Sequence, residues 1–170
     1  GYVIARLLAE GGADVRVAAA GQPQSKAARA ARAAWAGPVE DVAVAAPASL
    51  LIDGLFGTGL ARPLDAALSE RLIGLAHKAR CCVAVDVPSG VGSDDGAVLS
   101  PVPVCQLTVT FQTLKPAHRL YPAAGFMGRT VIADIGVPVR STLSEVGRPR
   151  LKAPGPDDHK FTRGYVAVLA

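Results

Sequence analysis

The fold is decided by the stretch SLLIDGLFGTGLARP at residues 49–63. Its apolar run, Leu50 to Ile52, has the length and composition of a buried strand, and a carboxylate, Asp53, follows where that strand ends. A glycine-punctuated loop, Gly54 to Gly59, comes next, and Pro63 and Asp65 then signal the start of a helix. The stretch therefore predicts a strand, a glycine loop and a helix in direct succession.

A strand, a glycine loop and a helix start form the geometry that binds phosphate groups. Glycines let backbone N–H groups approach an anion, and the helix N-terminus adds a partial positive charge. Arg62 lies at the same end and supplies a charge-assisted contact. The alternative is that Gly57 and Gly59 only make a tight turn, because the third glycine of the dinucleotide-binding fingerprint is absent.

A second stretch, CVAVDVPSG at residues 82–90, repeats the plan of strand, carboxylate and tight turn. Ligands of open α/β sheets bind outside the carboxyl ends of the strands. Asp86 and Ser89 are therefore expected at the same sheet edge as Asp53. Two acids, a hydroxyl and a glycine loop converging there indicate a ligand site.

Composition and charge exclude several classes of protein. The 170 residues have a formal net charge of +4, and the 18 basic residues are scattered, with no basic tract that alternates with aromatic residues. We therefore expect no nucleic-acid partner, although the positive balance favours a phosphorylated ligand. No apolar run is long enough for a membrane span.

The three cysteines, Cys81, Cys82 and Cys105, are expected to pack in the core in a reducing compartment. They show no spacing typical of zinc sites, and a nucleophilic cysteine is the weaker alternative because apolar burial raises a thiol pKa.

Strand and helix patterns alternate along the chain, which predicts an α/β fold with a mostly parallel sheet and helices on both faces. Helices are predicted over 2–10 and 25–36 and after Asp65, where Leu64, Leu68, Leu72 and Leu75 form one apolar stripe. The predicted strands are 13–20, 49–53, 82–86, 104–111 and 130–135, whereas 39–47 is ambiguous.

These motifs together resemble the NAD(P)H-hydrate epimerase family. The residues that carry the resemblance are DGLFGTGLARP (53–63), VDVPSG (85–90), TVTF (108–111), Lys115-Pro116 and GRTVIADIGVP (128–138). The resemblance covers residues 1 to 140 and implies a Rossmann-like three-layer sandwich for that domain. Residues 141–155, rich in proline and glycine, are interpreted as a linker.

The resemblance also implies roles for individual residues. Asp86 matches the family's substrate-binding aspartate, and we assign it the catalytic proton transfer. Asp53 and Ser89 match the family's potassium ligands, and carboxylate and hydroxyl oxygens suit such a cation. The remaining substrate-binding positions are Gly57, Thr58, Gly59, Leu60, Ala61, Arg62 and Pro63.

The implied substrate is NADH or NADPH hydrated at C6 of the nicotinamide ring (NADHX or NADPHX), whose R and S forms the enzyme interconverts. A cytoplasmic location is expected, and a homo-oligomer is an open expectation. The alternative function is a non-catalytic nucleotide-binding or scaffold module of the same fold, which would not need Asp53, Asp86 and an intact glycine loop.

Both ends of the chain suggest a piece of a longer enzyme. The family's asparagine- and glycine-rich loop is represented here at most by Gly1, so the fragment is expected to be inactive by itself. Residues 156–170 resemble the opening of the ADP- or ATP-dependent NAD(P)H-hydrate dehydratase domain, with His159, Lys160 and Arg163 belonging to it. An added edge strand on the first sheet is the alternative for this segment.

Overall fold

The computed structural model describes residues 1–150, 153–159, 161–162, 164 and 167. The chain divides into two compact units, Gly1–Val139 and Arg140–Ala170. Within the described residues, every helix and strand belongs to the first unit. The described residues include no helix long and apolar enough to cross a bilayer.

Six strands of the described residues form two sheets in which all pairings are parallel. The first sheet pairs β1 with β2, and the second has the order β3-β4-β5-β6. The strands are β1 (Val17–Ala19), β2 (Val39–Asp41), β3 (Leu50–Asp53), β4 (Cys81–Val85), β5 (Leu107–Phe111) and β6 (Arg129–Ala133). Parallel strands joined by helices confirm the predicted α/β fold of the Rossmann-like sandwich class.

In the part of the chain that the structure describes, three α-helices accompany the sheets: α1 (Tyr2–Glu10), α2 (Lys26–Ala33) and α3 (Ala66–Lys78). Ser25 caps α2, because its side chain accepts a hydrogen bond from the Ala28 amide. Two short 3-10 helices, Pro116–His118 and Ala123–Phe126, lie between β5 and β6.

The apolar stripe of α3 faces the core, as its period predicts. Leu75 packs with Val42 and Ala45, and Leu51 and Leu68 lie against this cluster. Leu64 is buried but precedes the helix rather than belonging to it. Cys82 and Cys105 are buried in a second cluster with their sulfurs 3.3 Å apart, so two of the three cysteines fill the core.

The first predicted strand is much shorter than its pattern indicates. Alternation predicts 13–20, whereas only Val17–Ala19 pairs, and it pairs with β2 alone. A cavity of about 630 Å³ is lined by residues of both β1 and β3, which do not pair with each other. The sequence predicted a single sheet, whereas the structure has two separate sheets.

Candidate functional site

The two acids of the motifs meet at one edge of the second sheet. Asp53 is the last residue of β3, and Asp86 is the first residue after β4. These strands pair in parallel with Asp53 opposite Ala84, so both carboxylates emerge at carboxyl ends of neighbouring strands.

Asp53 and Ser89 form one hydrogen-bonded unit. The Ser89 hydroxyl donates to Asp53 Oδ1 at 2.6 Å, and the Ser89 amide donates to Asp53 Oδ2 at 2.8 Å. The Phe56 amide in turn donates to Ser89 Oγ at 3.0 Å. Each of the two side chains is 1% exposed, so the unit ties the loop after β3 to the loop after β4 in a dry environment.

Burial raises the pKa of Asp53 above its ordinary value, and the hydrogen bonds from Ser89 and Leu55 oppose that shift only in part. No basic side chain of the described residues forms an ion pair with it. A buried carboxylate beside a hydroxyl and the Phe56 carbonyl, which lies 3.4 Å from Ser89 Oγ, offers the oxygen donors that a hard cation takes. The residues therefore fit a bound potassium ion in donor type and in charge.

Asp86 sits in a left-handed backbone conformation, with a φ of 73°. Such a conformation is uncommon for a residue other than glycine and recurs where a side chain must be aimed. The Asp86 amide donates to the Val109 carbonyl at 2.7 Å, which fastens the turn to β5.

Within the described residues, hydrogen bonds reach only one of the two carboxylate oxygens of Asp86. Its Oδ1 atom accepts hydrogen bonds from Thr110 Oγ1 at 2.9 Å and from Lys115 Nζ at 2.5 Å. The Lys115 ammonium also donates to Thr110 Oγ1 at 2.8 Å and to the Phe111 carbonyl at 3.1 Å. Asp86 and Lys115 thus form an ion pair, with side chains 13% and 18% exposed.

A buried histidine connects the two members of this ion pair through their backbones. The Lys115 amide donates to His118 Nδ1 at 2.8 Å, so that nitrogen carries no proton. The proton is therefore on Nε2, which donates to the Asp86 carbonyl at 2.8 Å. His118 is 4% exposed and braces the Asp86 turn against the Lys115 loop.

The glycine loop passes directly over Asp86. A Cβ placed on Gly57 would lie 3.6 Å from Asp86 Oδ2, and Ser93 Oγ holds the loop by donating to the Thr58 carbonyl at 3.3 Å. Gly1, at the start of α1, also lies at this edge, against Gly54. The glycine loop and Asp86 are therefore adjacent in the fold.

The helix after the loop does not offer its N-terminus to an anion, which corrects the expectation drawn from the motif. Asp65 Oδ1 accepts hydrogen bonds from the Ala67 amide at 3.0 Å and the Leu68 amide at 3.4 Å. A carboxylate that already caps the helix occupies these donors and repels a phosphate group. The groups that remain available to an anion at this edge are those of the loop itself and Arg62, which is exposed.

Three residues of the site were not assigned roles from the sequence: Thr110, Lys115 and His118. Thr110 is the second-last residue of β5, and Lys115 and His118 follow that strand as Asp86 follows β4. This shared edge is the signal that could have singled out Lys115. His159 belongs to the second unit, and Lys160 and Arg163 lie outside the described residues.

The sequence of the chain is similar to those of known proteins. A family model described as "YjeF-related protein N-terminus" matches residues 1–117. The chain is 38% identical over 133 residues to the bifunctional NAD(P)H-hydrate repair enzyme Nnr of Mycobacterium tuberculosis, covering 75% of this chain and 27% of the relative. It is 37% identical to the NAD(P)H-hydrate epimerase of Clavibacter sepedonicus, covering 76% and 64%.

A third relative matches along the entire chain. The bifunctional NAD(P)H-hydrate repair enzyme Nnr of Thermofilum pendens is 33% identical and covers 100% of this chain. The chain spans only 36% of that relative and 27% of the mycobacterial one.

Proposed function

The chain belongs to the family described as YjeF-related protein N-terminus, and from that membership we propose that it epimerises hydrated NADH and NADPH. The observation that carries the proposal is the position of Asp86, at the carboxyl end of β4 and under Gly57 of the glycine loop. Relatives named as NAD(P)H-hydrate epimerases and repair enzymes support the choice of substrate.

Inverting C6 of the hydrated nicotinamide ring requires a bond to that carbon to break and re-form. Either the C6 oxygen leaves or the ring opens at the bond to nitrogen, and both routes move a proton at the substrate hydroxyl. A positioned carboxyl group performs such transfers with rate gains of about 10²–10⁴. Asp86 is the group that we assign to this transfer.

The loop Gly57–Pro63 is proposed to bind the nucleotide part of the substrate. Thr58, Gly59 and Arg62 are exposed, so backbone amides and a guanidinium are available to phosphate oxygens. The net charge of +4 favours such an anionic ligand at longer range.

Potassium is proposed to bind Asp53 and Ser89. A bound cation would supply the positive charge that the buried Asp53 carboxylate lacks and would hold the loops after β3 and β4 in one geometry. Asp53 and Ser89 would contribute the carboxylate and hydroxyl oxygens, which already lie 2.6 Å apart.

We propose further that residues 156–170 begin an ADP- or ATP-dependent dehydratase domain, which would remove water from the S epimer. The match of this whole chain to 36% of a bifunctional relative supports this, as does the HKFTRG segment at 159–164. The cytoplasm is the proposed compartment, because all three cysteines are free thiols.

The test is epimerisation of purified R-NADHX by the natural full-length protein, followed by chromatographic separation of the two epimers. We expect the Asp86→Asn variant to lose turnover by at least about 10²-fold while nucleotide binding stays within about tenfold. Asp134→Asn is a matched control, because Asp134 likewise follows the end of its strand, β6, and is exposed. Near-normal turnover in Asp86→Asn would refute the assignment, and binding without any turnover in the wild type would favour the scaffold alternative.

A further inference from the structure

Resting on the proposed epimerase function, we propose that Lys115 is a positioning residue that holds Asp86 as a carboxylate with Oδ2 free for substrate. Epimerisation then begins with proton removal from the substrate hydroxyl and proceeds by ring opening. The geometry of the Asp86–Lys115 ion pair distinguishes between the two routes open to the substrate.

The Lys115 ammonium has a hydrogen-bond acceptor for each of its N–H bonds. An ammonium has three N–H bonds, and here they meet Asp86 Oδ1 at 2.5 Å, Thr110 Oγ1 at 2.8 Å and the Phe111 carbonyl at 3.1 Å. Lys115 therefore orients Asp86 and leaves no N–H to protonate a departing oxygen.

The two oxygens of Asp86 have different surroundings. Oδ1 accepts from both Thr110 and Lys115, whereas no hydrogen bond from the described residues reaches Oδ2. Oδ2 instead faces the glycine loop, 3.6 Å from the Cβ position of Gly57. A carboxylate paired with an ammonium carries no proton of its own, so its exposed oxygen starts the reaction as an acceptor.

The neighbouring histidine cannot serve as the acid. The Nε2 proton of His118 is donated to the Asp86 carbonyl, and Nδ1 accepts from the Lys115 amide. Loss of the C6 oxygen needs a proton donor at that oxygen at the outset, and neither Lys115 nor His118 offers one.

Ring opening can begin with a proton acceptor alone, and Asp86 Oδ2 is that acceptor. Asp86 Oδ2 takes the hydroxyl proton, the O–H electron pair forms the C6 carbonyl, and the C6–N1 bond breaks with its electrons going to N1. The proton then passes from Asp86 to N1, which gives a neutral open-chain aldehyde. Rotation about C5–C6 and return of N1 to the other face reverse these transfers, so atoms and electrons balance with no co-reactant.

The two routes differ in the fate of the C6 oxygen, which is the basis of the first test. The natural full-length protein is incubated with R-NADHX in ¹⁸O-labelled water, and the S product is isolated after a short time for mass spectrometry. We expect most product molecules to retain the unlabelled oxygen, because ring opening never releases it. Label in every product molecule would overturn the base-first route, and this measurement needs no variant to fold.

The second test varies Lys115 itself. We expect Lys115→Met to lower kcat on the order of 10²-fold with little change in KM, and Lys115→Arg to recover part of kcat, because a guanidinium still donates to the carboxylate. Lys78→Met is the matched control, because Lys78 is an exposed lysine at the end of α3, and it should retain wild-type kcat.

The outcomes separate this proposal from the one on which it rests. A natural full-length protein that shows no epimerisation would defeat the epimerase function. A full-length protein that epimerises while its Lys115→Met variant has the same kcat would defeat only the role of Lys115. A folded Lys115→Arg variant as slow as Lys115→Met would also count against that role, since a cationic donor would then not suffice.

Discussion

Asp53 combines almost complete burial with a charge that no basic residue of the described chain neutralises. The raised pKa means that the folded state binds a proton more tightly at Asp53 than the unfolded chain does. The stability that this difference contributes is full below the ordinary aspartate pKa of about 4 and is lost as pH rises through the raised folded value.

We therefore predict that the melting temperature of the wild type falls, relative to Asp53→Asn, as pH is raised from about 4 toward neutrality. Thermal scans of both proteins at several pH values, in tetramethylammonium chloride, measure the difference. Replacing that salt with potassium chloride at equal ionic strength should raise the wild-type value at neutral pH and leave the variant unchanged. Parallel pH curves for the two proteins would contradict the prediction.

Gly57 provides a second prediction at the residue scale. An alanine Cβ there would make an ordinary contact with Asp86 Oδ2 at 3.6 Å, whereas the two methyl groups of valine would cover that oxygen. We expect Gly57→Ala to retain substantial turnover and Gly57→Val to lose most of it, with little change in urea unfolding for either. Equal kinetics for the two variants would show that Oδ2 is not the atom that substrate reaches.

The sequence predicted that some of these residues belong to one site, and it did not indicate the role of others. Asp53, Ser89 and Asp86 were predicted to lie together because each follows a strand of one parallel sheet. Lys115 was noted only as part of a family motif, since its contact with Asp86 depends on the backbone path after Phe111, which no periodic pattern records.

At the scale of elements, the start of α3 is set by its cap. Asp65 binds the second and third amides of the helix, and the stripe from Leu68 to Leu75 packs behind it. We predict that Asp65→Ala lowers the free energy of unfolding by about 1 kcal/mol, and that Asp65→Ser, which keeps a capping oxygen, lowers it much less. Urea titrations followed by circular dichroism would measure both, and an unchanged Asp65→Ala midpoint would exclude the capping role.

The predicted bounds are within one residue of the observed ones for β3 and β4, whereas the strands predicted at 13–20 and 104–111 are longer than the observed β1 and β5. β4 lies between β3 and β5, and its observed span, Cys81–Val85, is within one residue of the predicted 82–86. β1 has a single partner, and five of the eight residues with a strand-like pattern remain unpaired. An alternating pattern indicates which residues are able to pair, but the number that do depends on what lies beside them.

At the scale of the whole molecule, the alternation of strands and helices was enough to predict an α/β fold. The division into two sheets was not predictable, because it depends on whether β1 and β3 are neighbours, and no local pattern carries that information.

The two units of the chain lead to a prediction about proteolysis. Residues 140–150 are exposed and contain no helix or strand, whereas the first unit holds all the described regular elements. We expect brief treatment with trypsin to cut first after Arg140 and to leave a fragment ending there. Mass spectrometry of the early products tests this, and earlier cleavage at Arg29 or Arg32 within α2 would contradict it.

The contact between Gly1 and Gly54 has a practical consequence for work on this chain. A Cβ at Gly1 would lie 3.6 Å from the carbonyl oxygen of Gly54, the residue that follows Asp53. A cysteine introduced at Gly1 for a fluorescent label would therefore place the dye beside the candidate site. A label on Lys78, which is exposed and precedes the amino end of β4, would leave that edge of the sheet unmodified.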